Sequence, residues 1–155
     1  MCECDIIFRR AVEADLCAMV KMLSDDPIGV AREVPAEPLP KAYLDAFRAI
    51  SVDNNQLLVV AANSKTIVGT MQLSFIPGLA RTGTWRGQIE AVRVLKKYRN
   101  TGLGRRMLRW GIERCKEKGC SIVQLTTDKK RTNAHRFYNS MGFVASHEGY
   151  KLVLG

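Results

Sequence analysis

Cysteine is scarce and unpatterned in this chain. There are five, Cys2, Cys4, Cys17, Cys115 and Cys120, with no repeated C-x-x-C spacing and only His135 and His147 to join them. An odd count without that spacing argues against both a disulfide framework and a zinc centre, so no metal is expected. Cys17 and Cys115 read as small buried apolar residues, and Cys2 and Cys4 as riders on a frayed end. Long apolar runs are missing too. None approaches the roughly 18 residues of a membrane span, and the first residues are acidic where a signal peptide is basic, so the expectation is a cytoplasmic protein with no membrane partner. Internal repeats, low-complexity tracts and an interdomain linker are also absent.

What remains is globular. The chain has 155 residues, 46% hydrophobic and 25% charged, which fits one α/β domain over residues 1–155 with a core of about 6–154. The charge is lopsided: 24 Lys and Arg against 15 Asp and Glu give +9. A basic domain meets something anionic, whether nucleic acid, a phosphorylated cofactor or an acidic surface. Most of the excess lies between Arg93 and Arg114, with a second group at Lys129, Lys130, Arg131 and Arg136, which marks a local site. Stacking on single strands calls for aromatics among the cations, and the first cluster holds only Tyr98 and Trp110.

Residues 6–10 read as a strand and 14–23 as a helix with its apolar face at Leu16, Met19, Val20 and Leu23. Residues 25–40 carry Pro27, Pro35, Pro38 and Pro40, an irregular connector ending where a second helix begins near Lys41, with Tyr43, Leu44, Phe47 and Ile50 on one face. Residues 56–62 and 66–76 form a hairpin around Asn63, Ser64 and Lys65, and 88–95 a further strand. From 102 to 118, Gly104, Met107, Leu108, Gly111, Ile112 and Cys115 share one helical arc. Trp110 lies off that arc beside Leu103 and Arg114, available to a neighbouring element or a partner subunit. Gly119 closes this helix. A strand at 121–127, a helix at 132–141 and two short strands within 143–154 complete a mixed order with a middle hairpin.

The informative stretch is 92–108, a strand entering a glycine-bearing turn that opens an amphipathic helix. A helix N-terminus presents unpaired N–H groups and a positive dipole end, and glycine lets a phosphate approach the backbone. A Walker loop needs GxxxxGK[ST], which is absent, and a dinucleotide fingerprint needs glycine where Met107 stands. The surviving pattern is [Arg/Gln]-x-x-Gly-x-[Gly/Ala], met by Arg99, Gly102 and Gly104. Here the sequence resembles the GNAT superfamily of acetyl-CoA-dependent N-acetyltransferases. The likeness extends from Ile6 to Leu154 and includes Asn133-Ala-His-Arg-Phe-Tyr-Asn-Ser-Met-Gly-Phe143, similar to the family's AxxFYxxxGF signature.

The resemblance implies a mixed, mostly antiparallel sheet flanked by helices, whose fourth and fifth strands splay to admit the thioester. It implies acetyl-CoA as donor, held by Val92, Arg93 and Val94 along the pantetheine arm and by Arg99, Asn100, Thr101, Gly102, Leu103, Gly104 and Arg105 at the pyrophosphate. Asn133 either bonds the cofactor amide or shares helix capping with Thr132. Tyr138 stands for the proton donor to the leaving thiolate, against a packing role beside Phe137. Glu90 stands for the base that deprotonates the acceptor amine, against an exposed strand residue or a partner for Arg93. His135 lies one turn before Tyr138, and the family pattern assigns it no role. The implied partners are acetyl-CoA and a primary amine of a small molecule or peptide, attacked directly in a ternary complex; a homodimer is compatible. Two other readings stay open: an acyl-CoA-binding sensor without catalysis, and a basic nucleic-acid-binding module. Residues 24–40, 77–86 and 146–149 are the expected acceptor walls, where Asp25, Asp26, Glu33 and Glu37 could draw a cationic amine.

Overall fold

The computed structural model describes residues 6–25, 30–64 and 66–154. Cys2, Cys4, Asp26, Pro27 and the hairpin residue Lys65 lie outside the described residues. Five strands form one sheet in the order β1-β2-β3-β4-β5: β1 Ile7–Arg10, β2 Gln56–Ala62, β3 Ile67–Ile76, β4 Trp85–Val94 and β5 Cys120–Leu125. The first three pairings are antiparallel and β4 pairs β5 in parallel. The β2–β3 hairpin closes where the Asn63 amide donates to the Thr66 carbonyl and the Thr66 amide to Asn63 Oδ1, at 3.1 and 2.8 Å. This is the α/β sheet expected from the sequence, and β4 begins three residues earlier than its apolar pattern suggests.

Helices cover both faces. Side chains alternate along a strand, so Val59, Met71, Leu73 and Ile89 point one way and Leu58, Val60 and Thr70 the other. Against the first face lies α4, Leu103–Glu117, burying Leu103, Met107, Leu108, Gly111 and Cys115. Leu103 is thus in the core, not off the apolar arc, because it forms the helix's first turn over the sheet. The helix sits close: a Cβ placed on Gly87 would overlap Cys115 Sγ and come within 3.0 Å of its Cβ. Trp110 packs on Phe8 of β1 with ring centroids 5.9 Å apart, so its neighbour is within the chain. The α5 helix, Thr132–Ser140, adds Phe137 and Tyr138 to the same core.

The opposite face carries α1, Leu16–Ser24, and α2, Lys41–Val52, whose Leu16, Met19, Leu44, Phe47 and Ile50 close over Leu58 and Val60. Cys115 is buried, and burial pushes its thiol up to about 12. Cys17 is exposed, contrary to expectation, because it lies on the flank of α1, about 100° around the helix from Leu16 and outside the stripe at Leu16, Met19 and Val20. Arg9 grips Asp15 through two bonds of 2.7 and 3.0 Å, and the Val12 amide donates to the same carboxylate at 2.8 Å, fixing the entry to α1. A short turn, α3 Ala80–Gly83, precedes β4, with Arg81 and Thr82 in left-handed backbone.

The two strands expected within 143–154 do not form. Those residues run without ladder pairing, leaving Val144, Tyr150, Leu152, Val153 and Leu154 exposed. Strand propensity stabilises little unless the backbone finds a ladder and the side chains a surface. Among the described residues the outer edge of β5 has no strand partner.

Candidate active site

The site grows from the way β4 and β5 part. Their parallel pairing runs from Trp85–Cys120 to Ile89–Leu125 and stops. On the other side β4 stays paired with β3 as far as Val94, with a register shift opposite 70–72 and Ala91 in left-handed backbone at φ 52°. Residues 90–94 therefore face the β5 side with no ladder. This is the splay expected from the resemblance, and along it the Val92 carbonyl accepts from Arg93 Nη1 at 2.9 Å and the Val94 carbonyl from Arg99 Nε at 3.0 Å, so arginine side chains supply the donors that a strand partner would otherwise bring.

Beyond Val94, the 3₁₀ turn Lys96–Tyr98 and the loop 99–102 lead into α4. Gly102 holds φ 91°, and a Cβ there would meet nothing within 4 Å. Left-handed backbone and open space on one residue suit a group approaching the main chain. The first helical bond shown here is donated by the Arg106 amide to the Gly102 carbonyl at 3.1 Å, so the amides of Leu103, Gly104 and Arg105 point out of the helix end. No acidic residue occupies the first turn. These features fit a pyrophosphate.

The flanking residues have their own anchors. Arg99 donates to the Val94 carbonyl at 3.0 Å and to Asp25 Oδ2 at 3.0 Å, tying the loop to the end of α1. Arg105 reaches α5, bonding Ser140 Oγ at 2.9 Å. Asn100 takes φ 63° and Thr101 Oγ1 donates to the Tyr98 carbonyl at 2.8 Å, shaping the turn. A Cβ on Gly104 would stand 3.7 Å from Phe137 Cζ and 3.8 Å from Val94 Cγ2, so α4, α5 and the end of β4 converge there.

Tyr138 follows Phe137 on α5, its ring 5.3 Å from that of Phe137 and 6.0 Å from that of Phe143. Burial pushes its phenol up, while the nearby charges of Arg93 and Arg131 pull it down. It therefore holds its proton at neutral pH and lies within electrostatic reach of the unpaired part of β4. Asn133 accepts from Arg136, and α5 has no side-chain cap, so neither Thr132 nor Asn133 caps it. The His135 ring meets the Asp128 carbonyl at 3.0 Å.

Glu90 is exposed on β4, directly opposite Gln72 of β3 and on the same face as it. That face continues into a line of polar side chains that the sequence reading passed over. Gln56, Ser74, Gln88 and Gln124 are consecutive cross-strand partners on four strands. Their signal was a polar residue at the corresponding position of each apolar strand, but only register shows that they adjoin. On the other side of Gln72 a cavity of about 140 Å³ opens between α1, α2 and the sheet, lined by Met19, Phe47, Leu58, Thr70 and Ala91 among others. The expected acceptor loops 77–86 and 146–149 meet across an open cavity of about 1280 Å³. The connector carboxylates are engaged elsewhere: Asp25 with Arg99, Glu37 with Lys21 at 2.8 Å and Glu33 with the Tyr43 hydroxyl at 2.9 Å. Asp26 lies outside the described residues.

The architecture defines an acyl-transfer fold, and the sequence agrees. Residues 17–143 match the model of the acetyltransferase (GNAT) family, and the chain belongs to that family. It is 32% identical over 107 residues to an aminoalkylphosphonate N-acetyltransferase of Salmonella typhimurium, covering 69% of each chain. It is 35% identical over 88 residues to a glucosamine 6-phosphate N-acetyltransferase of Trypanosoma brucei brucei, covering 57% of this chain and 58% of that one. A crystal structure described as a transcriptional regulator from Bacillus halodurans C-125 superposes with a TM-score of 0.93 at 48% identity, covering 96% of this chain and 99% of that one. Among the described residues no helix is long and apolar enough to cross a membrane, and no cluster of three or more His, Cys, Asp or Glu could hold a metal ion.

Proposed function

We propose that the protein transfers an acetyl group from acetyl-CoA to the primary amine of a small molecule by direct attack in a ternary complex. The observation that carries this reading is the unpaired stretch of β4, which has Glu90 at one end and the Gly102 turn beyond the other, with Phe137 of α5 meeting Val94 at Gly104 and Tyr138 packed on Phe137. Two curated relatives act, by their names, on an aminoalkylphosphonate and on glucosamine 6-phosphate, each an amine, and that supports a small amine as acceptor. The alternatives of a silent acyl-CoA sensor and a nucleic-acid module leave the proton-handling pair unexplained.

An alkyl ammonium with pKa near about 10 is almost wholly protonated at neutral pH, yet only the free amine attacks a thioester. Glu90 takes that proton, directly or through one water. The amine nitrogen forms its bond to the acetyl carbon, the carbon–sulfur bond breaks as the tetrahedral intermediate collapses, and Tyr138 gives its phenolic proton to the departing sulfur; the proton that the nitrogen sheds on becoming an amide restores the phenol, and Glu90 passes its own proton to solvent. Main-chain groups of 92–94 hold the pantetheine arm, and the turn from Arg99 to Arg105 holds the pyrophosphate.

The test is thiol release from acetyl-CoA across a panel of amines, run beside DNA and RNA binding. Tyr138→Phe is expected to lower kcat by about 10²- to 10⁴-fold while the stabilisation by acetyl-CoA persists. Glu90→Gln is expected to lower kcat/KM by about 10² or more near neutrality and to remove the acidic limb of the pH profile. Stabilisation by acetyl-CoA without turnover of any amine refutes catalysis and leaves a sensor; an unchanged kcat returns Tyr138 to packing.

A further inference from the structure

β4 presents two unlike faces. Gly87 and Ile89 lie against α4, and the alternation puts Arg86, Gln88 and Glu90 on the other side. There Gln72 stands opposite Glu90, Ser74 opposite Gln88, and Gln88 opposite Gln124, with Gln56 completing the row on β2. The side chains are knitted together. Gln56 Oε1 accepts from Gln72 Nε2 at 3.1 Å and from Ser74 Oγ at 2.8 Å, and Gln124 Nε2 donates to Gln88 Oε1 at 2.8 Å. Whichever way the two amides are turned, the Gln88–Gln124 pair keeps donor and acceptor capacity beyond that bond.

Such a row has a cost on a sheet face, because half-buried amides need hydrogen-bond partners that an aliphatic layer cannot supply. The aliphatic cover from α1 and α2 does stop at Gln72, where the small apolar cavity ends. In the other direction the row runs out through Gln124 and Arg86 into the larger cavity. The charged residues described in its wall are four cations, Arg81, Arg86, Lys129 and Lys151, against one carboxylate, Glu148, which Lys129 approaches at 3.5 Å. A polar track thus begins at the proposed base and ends among cations. Arg86 and Glu90 are four residues apart, roughly 13 Å along the strand.

We infer that this track is the floor of the acceptor site, and that the acceptor is a small primary amine bearing hydroxyl or amide groups and, several bonds from the nitrogen, an oxyanion. Its amine lies at Glu90, its neutral polar groups over Gln88 and Gln124, and its oxyanion toward Arg86. This rests on Glu90 as the base. Phosphate and carboxylate share the chemistry that Arg86 recognises, so both are tested.

The experiment compares matched acceptors: O-phosphoethanolamine with ethanolamine, β-alanine with propylamine, and phenethylamine as an apolar amine. The oxyanion members are expected to show kcat/KM at least tenfold above their neutral counterparts, and the phosphate pair against the carboxylate pair shows which oxyanion is preferred. Arg86→Gln is expected to erase most of that ratio through KM. Gln88→Leu and Gln124→Leu are expected to raise KM for the hydroxylated amine about tenfold while kcat stays within a few-fold and the acetyl-CoA stabilisation persists. Calorimetric binding of O-phosphoethanolamine in the presence of CoA reads the same site without turnover, and Arg86→Gln should abolish it. Preference for phenethylamine over every polar amine overturns the inference and places the acceptor in the apolar cavity beside α1 and α2. So does an Arg86→Gln defect equal for charged and neutral acceptors, or no calorimetric binding. Turnover of no amine at all, with O-phosphoethanolamine still bound through Arg86, refutes the catalytic reading alone.

Discussion

Gly102 and Gly119 bracket α4 and offer a matched pair. Gly102 has φ 91° and Gly119 φ 83°, and a Cβ on either would meet nothing within 4 Å. Alanine at each position therefore carries the same penalty, the left-handed backbone of an L residue, at about 1–2 kcal/mol. For a chain of this length 1 kcal/mol moves Tm by about 2–4 °C, so each variant should melt about 2–8 °C below wild type. Their responses to the donor should differ. Acetyl-CoA at a thousand times its Kd stabilises the folded state by about 4 kcal/mol. If the pyrophosphate fills the open space over Gly102, a methyl group there removes most of that gain, whereas one at Gly119 removes none. Differential scanning calorimetry with and without millimolar acetyl-CoA reads both effects at once. Equal ligand-induced shifts in the two variants would refute the assignment of the turn, and an unchanged Tm without ligand would refute the backbone argument.

Two further outcomes follow from the packing. The Arg9 guanidinium, donating to Asp15, holds its carboxyl below the usual carboxylate range, with the Val12 amide assisting. A depressed folded value means the pair stabilises above the unfolded pKa, near 4, and loses that contribution as pH falls through the folded value. Asp15→Asn should cost about 1–3 kcal/mol at pH 7 and nearly nothing at the lowest pH at which the protein still folds, read from urea midpoints at each pH; a deficit that persists at low pH sinks the idea. Thr70 is buried and its hydroxyl finds no partner among the described residues, so Thr70→Val should leave stability unchanged or raise it by about 1 kcal/mol, and a loss of more than that would reveal an unseen partner.

Much of the fold was legible because its signals are local. Gln56–Ala62 and the α4 pattern declare themselves through period and composition, and Gly102 and Gly119 mark a helix from both ends. The glycine turn that opens α4 was legible for the same reason, since its residues are contiguous. What escaped depends on distant pairing. Leu103 looked peripheral until the sheet supplied a surface for the first turn of α4. Residues 143–154 looked like strands because alternation states a propensity and says nothing of a partner. Gln56, Ser74, Gln88 and Gln124 are separated by up to 68 residues in number, 124 − 56, and only the ladders place them side by side.

The close seat of α4 on β4 has an evolutionary side. With Gly87 pressed against Cys115, almost any side chain larger than hydrogen on that surface of the strand is barred, so substitutions there are selected against whatever the enzyme acts upon. The intervening positions Arg86 and Gln88 meet no such jam. Before the irregularity at Ala91 the strand thus alternates frozen and permissive sites, and drift along that part can retune one surface while the other stays fixed. Descendants of this chain could part company in what they recognise through point changes at Arg86 and Gln88, with the helix-packed half inherited intact.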